Sequence, residues 1–218
     1  MRAVSLKPKC IFLDLDGTIV DSTEAYLEAA RASFEAIGQA PPTNQAALEI
    51  PRRLEQGYSI SDMTNGQTEK FLKTYLKTWY MVTPQKTRLI PNVSAALQAL
   101  SAKNKLALVT MRHVPRQSIV RELEYFGISR YFSRVVTSLD AFKPKPSPEA
   151  LLKCAEALGV KISDCIIAGD SVNDVRAGRA AGAGTVAVLS GLFQSEELAR
   201  EEPDLILNDV TALPNFIA

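Results

Sequence analysis

Short apolar runs recur along the chain, separated by longer stretches in which apolar positions return every three or four residues. The runs are Cys10–Leu15, Leu106–Thr110, Arg134–Thr137, Cys165–Gly169, Thr185–Leu189 and Leu205–Leu207. They are rich in Val, Ile and Leu and do not alternate with polar residues, which predicts strands covered on both faces, as in a parallel sheet. The stretches between them read as helices with legible ends. Ser147 serves as N-cap and Pro148 as first residue of a helix stopped by Gly159; Pro115–Phe126 stops at Gly127. Asn92–Lys103 carries Val93, Ala96, Leu97 and Leu100 on one face, and Ser171 caps a helix that ends at Gly182. Strand–helix alternation of this kind predicts a doubly wound α/β domain with a parallel sheet.

One region breaks the rhythm. Residues 21–89 hold no strand pattern and read as helices over Thr23–Ile37, Thr43–Glu55 and Gln67–Met81. A βα connection normally takes ~2–6 residues, so this stretch is expected to be a small inserted helical domain, with residues 1–20 and 90–218 forming the α/β core. The linkers expected on either side are Thr18–Ser22 and Thr83–Pro91.

Composition narrows the partners. The 218 residues carry 25 Lys+Arg and 24 Asp+Glu, a formal net charge of +1. That balance gives no electrostatic reason for a nucleic acid or an anionic membrane. No apolar run approaches the ~20 residues that span a bilayer, and the first 17 residues lack the apolar h-region of a secretory signal. Cys10, Cys154 and Cys165 are odd in number and widely spaced, as expected of buried thiols in a reducing cytoplasm. With one histidine, His113, and no C-x-x-C, zinc is not expected.

In an open parallel sheet, ligands gather at the carboxyl ends of the strands. The strands here run into Asp14-Leu15-Asp16-Gly17-Thr18, Thr110-Met111-Arg112, Lys143-Pro144-Lys145-Pro146 and Gly169-Asp170-Ser171-Val172-Asn173-Asp174. Singly, each has an ordinary reading: a turn at Asp16-Gly17, a strand-end hydroxyl, solvated loop lysines, and a helix cap at Ser171. Together they differ. Clustered carboxylates of Asp14, Asp16, Asp170 and Asp174 repel one another unless a hard cation sits among them, and oxygen-only ligands suit Mg²⁺. With the Lys143 ammonium and the Thr110 hydroxyl, such a site suits a phosphoryl group. Asp14 is then the nucleophile, and Asp16 the acid that protonates the leaving oxygen and the base that activates water. Gly178, Gly182 and Gly184 follow a helix rather than open one, so they do not form a dinucleotide loop.

These motifs, in this order, resemble those of the haloacid dehalogenase-like (HAD) hydrolases with a helical cap inserted after the first strand. The likeness covers nearly the whole chain. TIVDS after the first motif, K-P-x-P at Lys143, and Asp170-Ser171-x-x-Asp174-x-x-Ala177-Gly178 match the phosphoglycolate-phosphatase-like branch. The resemblance implies a Rossmann-like core and a Mg²⁺-dependent phosphatase. It implies metal held by the side chains of Asp14 and Asp170, the carbonyl of Asp16, and Asp174 directly or through water. Thr110 and the Met111 N–H would hold phosphate, with Gly17 and Arg112 among the substrate contacts. Lys143 would steady the nucleophile, leaving Lys145 in solvent. The family usually has Asn after the motif-two Thr; here Met111-Arg112-His113 follows, and Arg112 is a candidate for a substrate carboxylate.

Two other readings stay open. A β-phosphoglucomutase-like phosphotransferase would need a cap histidine where this chain has Tyr26. A phospho-receiver or other binding module shares clustered Asp, Thr and Lys, but needs neither the inserted helices nor the Asp14-x-Asp16 pair. The expectation is an enzyme acting on a small phosphorylated metabolite, phosphoglycolate being the named candidate, as a monomer or homodimer. The cap is expected to close over the cleft, and Arg52, Arg53 and Lys70 are candidates for selecting the substrate.

Overall fold

The computed structural model describes residues 6–218; Met1–Ser5, the head of the segment read as lacking a secretory signal, lie outside the described residues. In chain order the elements are β1 (Cys10–Leu13), β2 (Val20–Asp21), α1 (Thr23–Ala36), α2 (Asn44–Glu55), α3 (Thr68–Lys86), β3 (Arg88–Leu89), α4 (Val93–Ser101), β4 (Lys105–Val109), α5 (Arg116–Tyr125), β5 (Phe132–Val136), α6 (Glu149–Ala157), β6 (Cys165–Gly169), α7 (Val172–Ala181), β7 (Gly184–Val188), α8 (Ser195–Arg200) and β8 (Leu205–Leu207). The chain divides into two compact units: one contains β1 and everything from Leu89 onward, the other is Asp21–Arg88.

The first unit is built on a six-stranded sheet in the order β5-β4-β1-β6-β7-β8, with every pairing parallel. Alternate side chains of each strand enter different cores. Ile11, Leu13, Leu106, Leu108, Ile166 and Ala168 belong to one apolar cluster, and Cys10, Phe12, Ala107, Val109, Cys165 and Ile167 to another. Both faces are covered, which is why the strands read as continuous apolar runs. Each Ile, Leu or Phe fully buried this way contributes roughly 1.5–3 kcal/mol. From β1 the chain steps to β4 and β5 on one side, then returns to β6, β7 and β8 on the other. The β1/β6 seam is therefore the switch point at which an open sheet leaves a crevice beyond its strand ends.

The second unit is a helical cluster with an aromatic interior. Phe34 of α1 meets Phe71 of α3 edge-on, centroids 5.0 Å apart, and Ile50 of α2 is fully buried. Helix α3 passes Met81 and Pro84 and ends at Lys86, so Thr83–Lys86 is helix where a linker was expected. The Thr83 and Thr87 hydroxyls bond the carbonyls of Trp79 and Thr83 there, and Pro84 is exposed. Among the described residues no helix is long and apolar enough to cross a membrane.

Candidate active site

The segment after β1 carries Asp14, and the segment after β6 carries Asp170 and, one turn into α7, Asp174. Carboxylate oxygens of these three residues all lie within 4.8 Å of one another, and all three residues are buried. The local sequence explains how. β1 and β6 pair in register, Leu13 beside Ala168, so the residues that follow emerge side by side. Ser171 caps α7: its hydroxyl accepts from the N–H groups of Asn173 and Asp174, and the Asp174 carboxylate accepts from the Ser171 N–H at 3.2 Å. That capping box turns Asp174 back toward the strand ends.

A lysine sits among these carboxylates. It is Lys145, whose ammonium donates to Asp14 at 2.8 Å, to Asp174 at 2.5 Å and to the Val109 carbonyl at 3.0 Å. This corrects the assignment of the role to Lys143. The Lys143 side chain is exposed, and its backbone N–H, with that of Phe142, donates to Glu149 at the start of α6. A turn closed by the Ser147 N–H on the Pro144 carbonyl then carries Lys145 inward. Burial pushes the Asp14 carboxyl up to about 7, the charges of Asp174 and Asp16 add to it, and Lys145 opposes both. Burial alone would lower the Lys145 ammonium, but Asp14 and Asp174 hold it above its ordinary range.

This arrangement can be set beside known proteins. The family model for haloacid dehalogenase-like hydrolases matches residues 11–188. The chain belongs to this family. It is 31% identical over 222 residues to a phosphoglycolate phosphatase of Vibrio parahaemolyticus, covering 96% of each chain. It is 26% identical over 219 residues to one of Psychrobacter arcticus, covering 95% of this chain and 94% of the other. A solved haloacid dehalogenase-like hydrolase from Streptococcus pneumoniae shares its fold, with a TM-score of 0.79 over 99% of both chains at 19% identity. The chain is a haloacid dehalogenase-like phosphatase of the phosphoglycolate-phosphatase-like branch.

Phosphatases of this family generally use a divalent metal, and the residues present fit one. Oxygen atoms of three buried carboxylates lie within 4.8 Å of one another, the all-oxygen donor set that a hard divalent cation takes. Two glycines keep space beside Asp170. A Cβ on Gly17, whose φ is +77°, or on Gly191 would collide with the Asp170 carboxylate. Asp170 also accepts from the Thr18 hydroxyl at 3.2 Å, and the Ser190 hydroxyl donates to the Gly17 carbonyl at 2.7 Å. Ser190 and Gly191 were not among the residues read from the sequence, and Thr18 was read only as the last residue of the first motif. Ser190 and Gly191 follow β7, so the same strand-end rule, applied one strand further, points to them.

Thr110 follows β4, buried, with its N–H on the Val136 carbonyl and its hydroxyl accepting from the Arg112 N–H at 3.2 Å; Met111 is half-buried beside it. Asp16 shares the strand end of Asp14 but has a different partner. Its carboxylate is gripped by Arg112, which also reaches Glu122. Arg112 was a candidate for a substrate carboxylate; the structure instead buries its guanidinium between two carboxylates of the chain itself. His113 is exposed and its Nδ1 lies 3.1 Å from the Ser138 hydroxyl. In the helical unit Arg53 pairs with Asp62 and Arg52 with Glu49, while Lys70 is exposed.

Proposed function

We propose that this enzyme hydrolyses a small phosphorylated metabolite with Mg²⁺, through an acyl phosphate on Asp14, and that phosphoglycolate is the leading substrate. The observation that carries the reading is the Asp14 carboxylate set against Lys145 and within 4.8 Å of the Asp170 and Asp174 oxygens. The relatives named phosphoglycolate phosphatase supply the substrate candidate. Asp14, Asp170, Asp174 and the Asp16 carbonyl would hold the metal, with residues 21–89 serving as the cap domain. When bound, Mg²⁺ neutralises charge on the phosphoryl oxygens.

The chain's own residues then divide the work. A carboxylate oxygen of Asp14 attacks phosphorus, and the bond from phosphorus to the ester oxygen breaks. Asp16 gives that leaving oxygen a proton, so an alcohol departs rather than an alkoxide. A water then attacks the phosphorus of the acyl phosphate. Asp16 takes the water's proton, and the bond from phosphorus to Asp14 breaks to release phosphate and restore the carboxylate. Lys145 holds the free Asp14 oxygen in place and offsets charge as the bond forms. Thr110 and the Met111 N–H orient the phosphoryl oxygens.

The test is phosphate release from a panel of phosphorylated metabolites with Mg²⁺, phosphoglycolate and p-nitrophenyl phosphate included. Turnover of at least one alkyl ester, lost on chelation and restored by Mg²⁺, is expected; release from no member overturns the reading. Metal binding has its own readout. Mg²⁺ at about a hundred times its Kd stabilises by ~2.7 kcal/mol, raising Tm by roughly 5–10 °C for a chain of this size. Asp170→Asn should abolish most of that rise, and an equal rise in the variant would remove Asp170 from the metal site.

A further inference from the structure

Arg112, the residue that follows Thr110-Met111, makes charged contacts with two carboxylates of the chain. Arg112 Nε donates to Asp16 Oδ2 at 2.7 Å and Nη2 donates to Asp16 Oδ1 at 2.6 Å, a two-point fork on one carboxylate. Its other amine, Nη1, donates to Glu122 Oε2 of α5 at 2.5 Å. The Arg112, Glu122 and Asp16 side chains are 4%, 9% and 14% exposed. The backbone that presents Arg112 is pinned as well. Its N–H is held by the Thr110 hydroxyl, and its carbonyl accepts from the Ser138 N–H and hydroxyl at 3.3 and 3.2 Å.

We infer that Arg112 is a positioning residue for Asp16, with Glu122 as its anchor. The inference rests on the acid/base role proposed for Asp16. The terminal torsion of an aspartate is broad and roughly two-fold, so an unheld carboxylate samples many aims. The fork fixes its plane, using two of the roughly four acceptor positions a carboxylate has. Glu122 on the opposite side keeps the guanidinium from turning. A lysine at 112 would keep the charge between the two carboxylates but offer no planar fork. Arg112 therefore acts on the reaction through Asp16 and not by touching substrate.

The experiment is a four-enzyme cycle: wild type, Arg112→Lys, Asp16→Asn and the double variant. Each is assayed on phosphoglycolate, glycerol 2-phosphate and p-nitrophenyl phosphate. The alkyl leaving groups need a proton and nitrophenolate does not, so a defect transmitted through Asp16 depends on the leaving group. Arg112→Lys is expected to lower kcat/KM about 10–100-fold on both alkyl esters, and less than about fivefold on p-nitrophenyl phosphate. In the Asp16→Asn background the same change should add less than about twofold, because the two act as one unit. The Arg112 Nε–H signal in ¹H–¹⁵N spectra of the intact protein, assigned by its loss in Arg112→Lys, should move in Asp16→Asn.

Equal losses on all three esters, losses that multiply fully with Asp16→Asn, or an unmoved Nε–H signal overturn the inference. A loss confined to phosphoglycolate also overturns it and makes Arg112 a contact for the substrate carboxylate. If Arg112→Lys does not fold, Glu122→Gln carries the same test with a loss of about 3–10-fold on the alkyl esters. Wild-type protein that hydrolyses none of the esters overturns the phosphatase reading and the inference together. A wild type that turns over, with Asp14→Asn inactive but no leaving-group pattern at Arg112, overturns the inference alone.

Discussion

Asp14→Asn will lower kcat by ~10⁵-fold or more on every phosphomonoester the enzyme accepts, the scale seen when a covalent nucleophile is removed. The amide has the carboxylate's shape and can still accept a hydrogen bond from Lys145, so packing around the site is kept. What it lacks is an ionised oxygen able to bond phosphorus. Acid quenching during turnover of a ³²P-labelled substrate should trap a hydroxylamine-sensitive acyl phosphate in the wild type and none in the variant. Activity above a hundredth of wild type would remove Asp14 from its role. The same substitution has a signature in stability. Burial, with the charges of Asp174 and Asp16, raises the folded carboxyl to about 7, above its unfolded value of about 3.9. A raised carboxyl gives stability that is full below the unfolded pKa and is lost as pH rises through the folded one. With chelator present, the Tm of the wild type relative to that of Asp14→Asn should therefore fall between about pH 4 and 7. Parallel profiles would mean that the buried charge of Asp14 carries no such penalty.

The parts of the molecule that were legible in the sequence are those governed by burial pattern and by chemistry at strand ends. Cys10–Leu13 and Cys165–Gly169 could be read as doubly covered strands because no polar residue interrupts them, and both are fully enclosed. Asp14, Asp170 and Asp174 could be paired at a distance because parallel strands deliver their carboxyl ends to one edge. Ser171 and Gly182 marked the ends of α7 through side-chain capping and a left-handed residue. Where two residues have the same charge and neighbouring places, composition has no power to choose. Lys143 and Lys145 differ only in the path of the backbone around Pro144 and Ser147, and that path depends on Glu149, which lies in the next helix. Arg112 gave the opposite difficulty. An arginine at a strand end suits an anionic ligand, and only the fold shows that its anions, Asp16 and Glu122, are already part of the chain, Asp16 lying 96 residues away in sequence. Helix α3 outran its pattern because a proline is tolerated when exposed near a helix end and threonine hydroxyls engage nearby carbonyls.

Lys145→Ala and Lys143→Ala should separate by roughly three orders of magnitude in kcat. Removing one preorganised donor at a developing charge costs about 10²–10³-fold, and Lys145 also holds the nucleophile in place, so ~10³-fold is expected. Lys143→Ala should stay within about twofold, as an exposed side chain away from such features changes stability by no more than ~0.5 kcal/mol. Stability divides the pair in the same direction. The Lys145 side chain is 2% exposed and its ammonium sits between Asp14 and Asp174, so its loss leaves two buried carboxylates facing each other. Breaking a buried pair in this way costs about 3–5 kcal/mol, or a fall in Tm of roughly 6–20 °C for a chain of this length. Mg²⁺ should recover part of that fall, since a cation among Asp14, Asp170 and Asp174 replaces some of the missing positive charge, but it should not recover turnover. Lys145→Met keeps much of the side-chain volume and separates packing from charge: its kcat should match that of the alanine variant. If Lys143→Ala were the inactive variant and Lys145→Ala the active one, the chain would have to fold around K-P-K-P along a different path, and the site built here on Lys145 would be wrong.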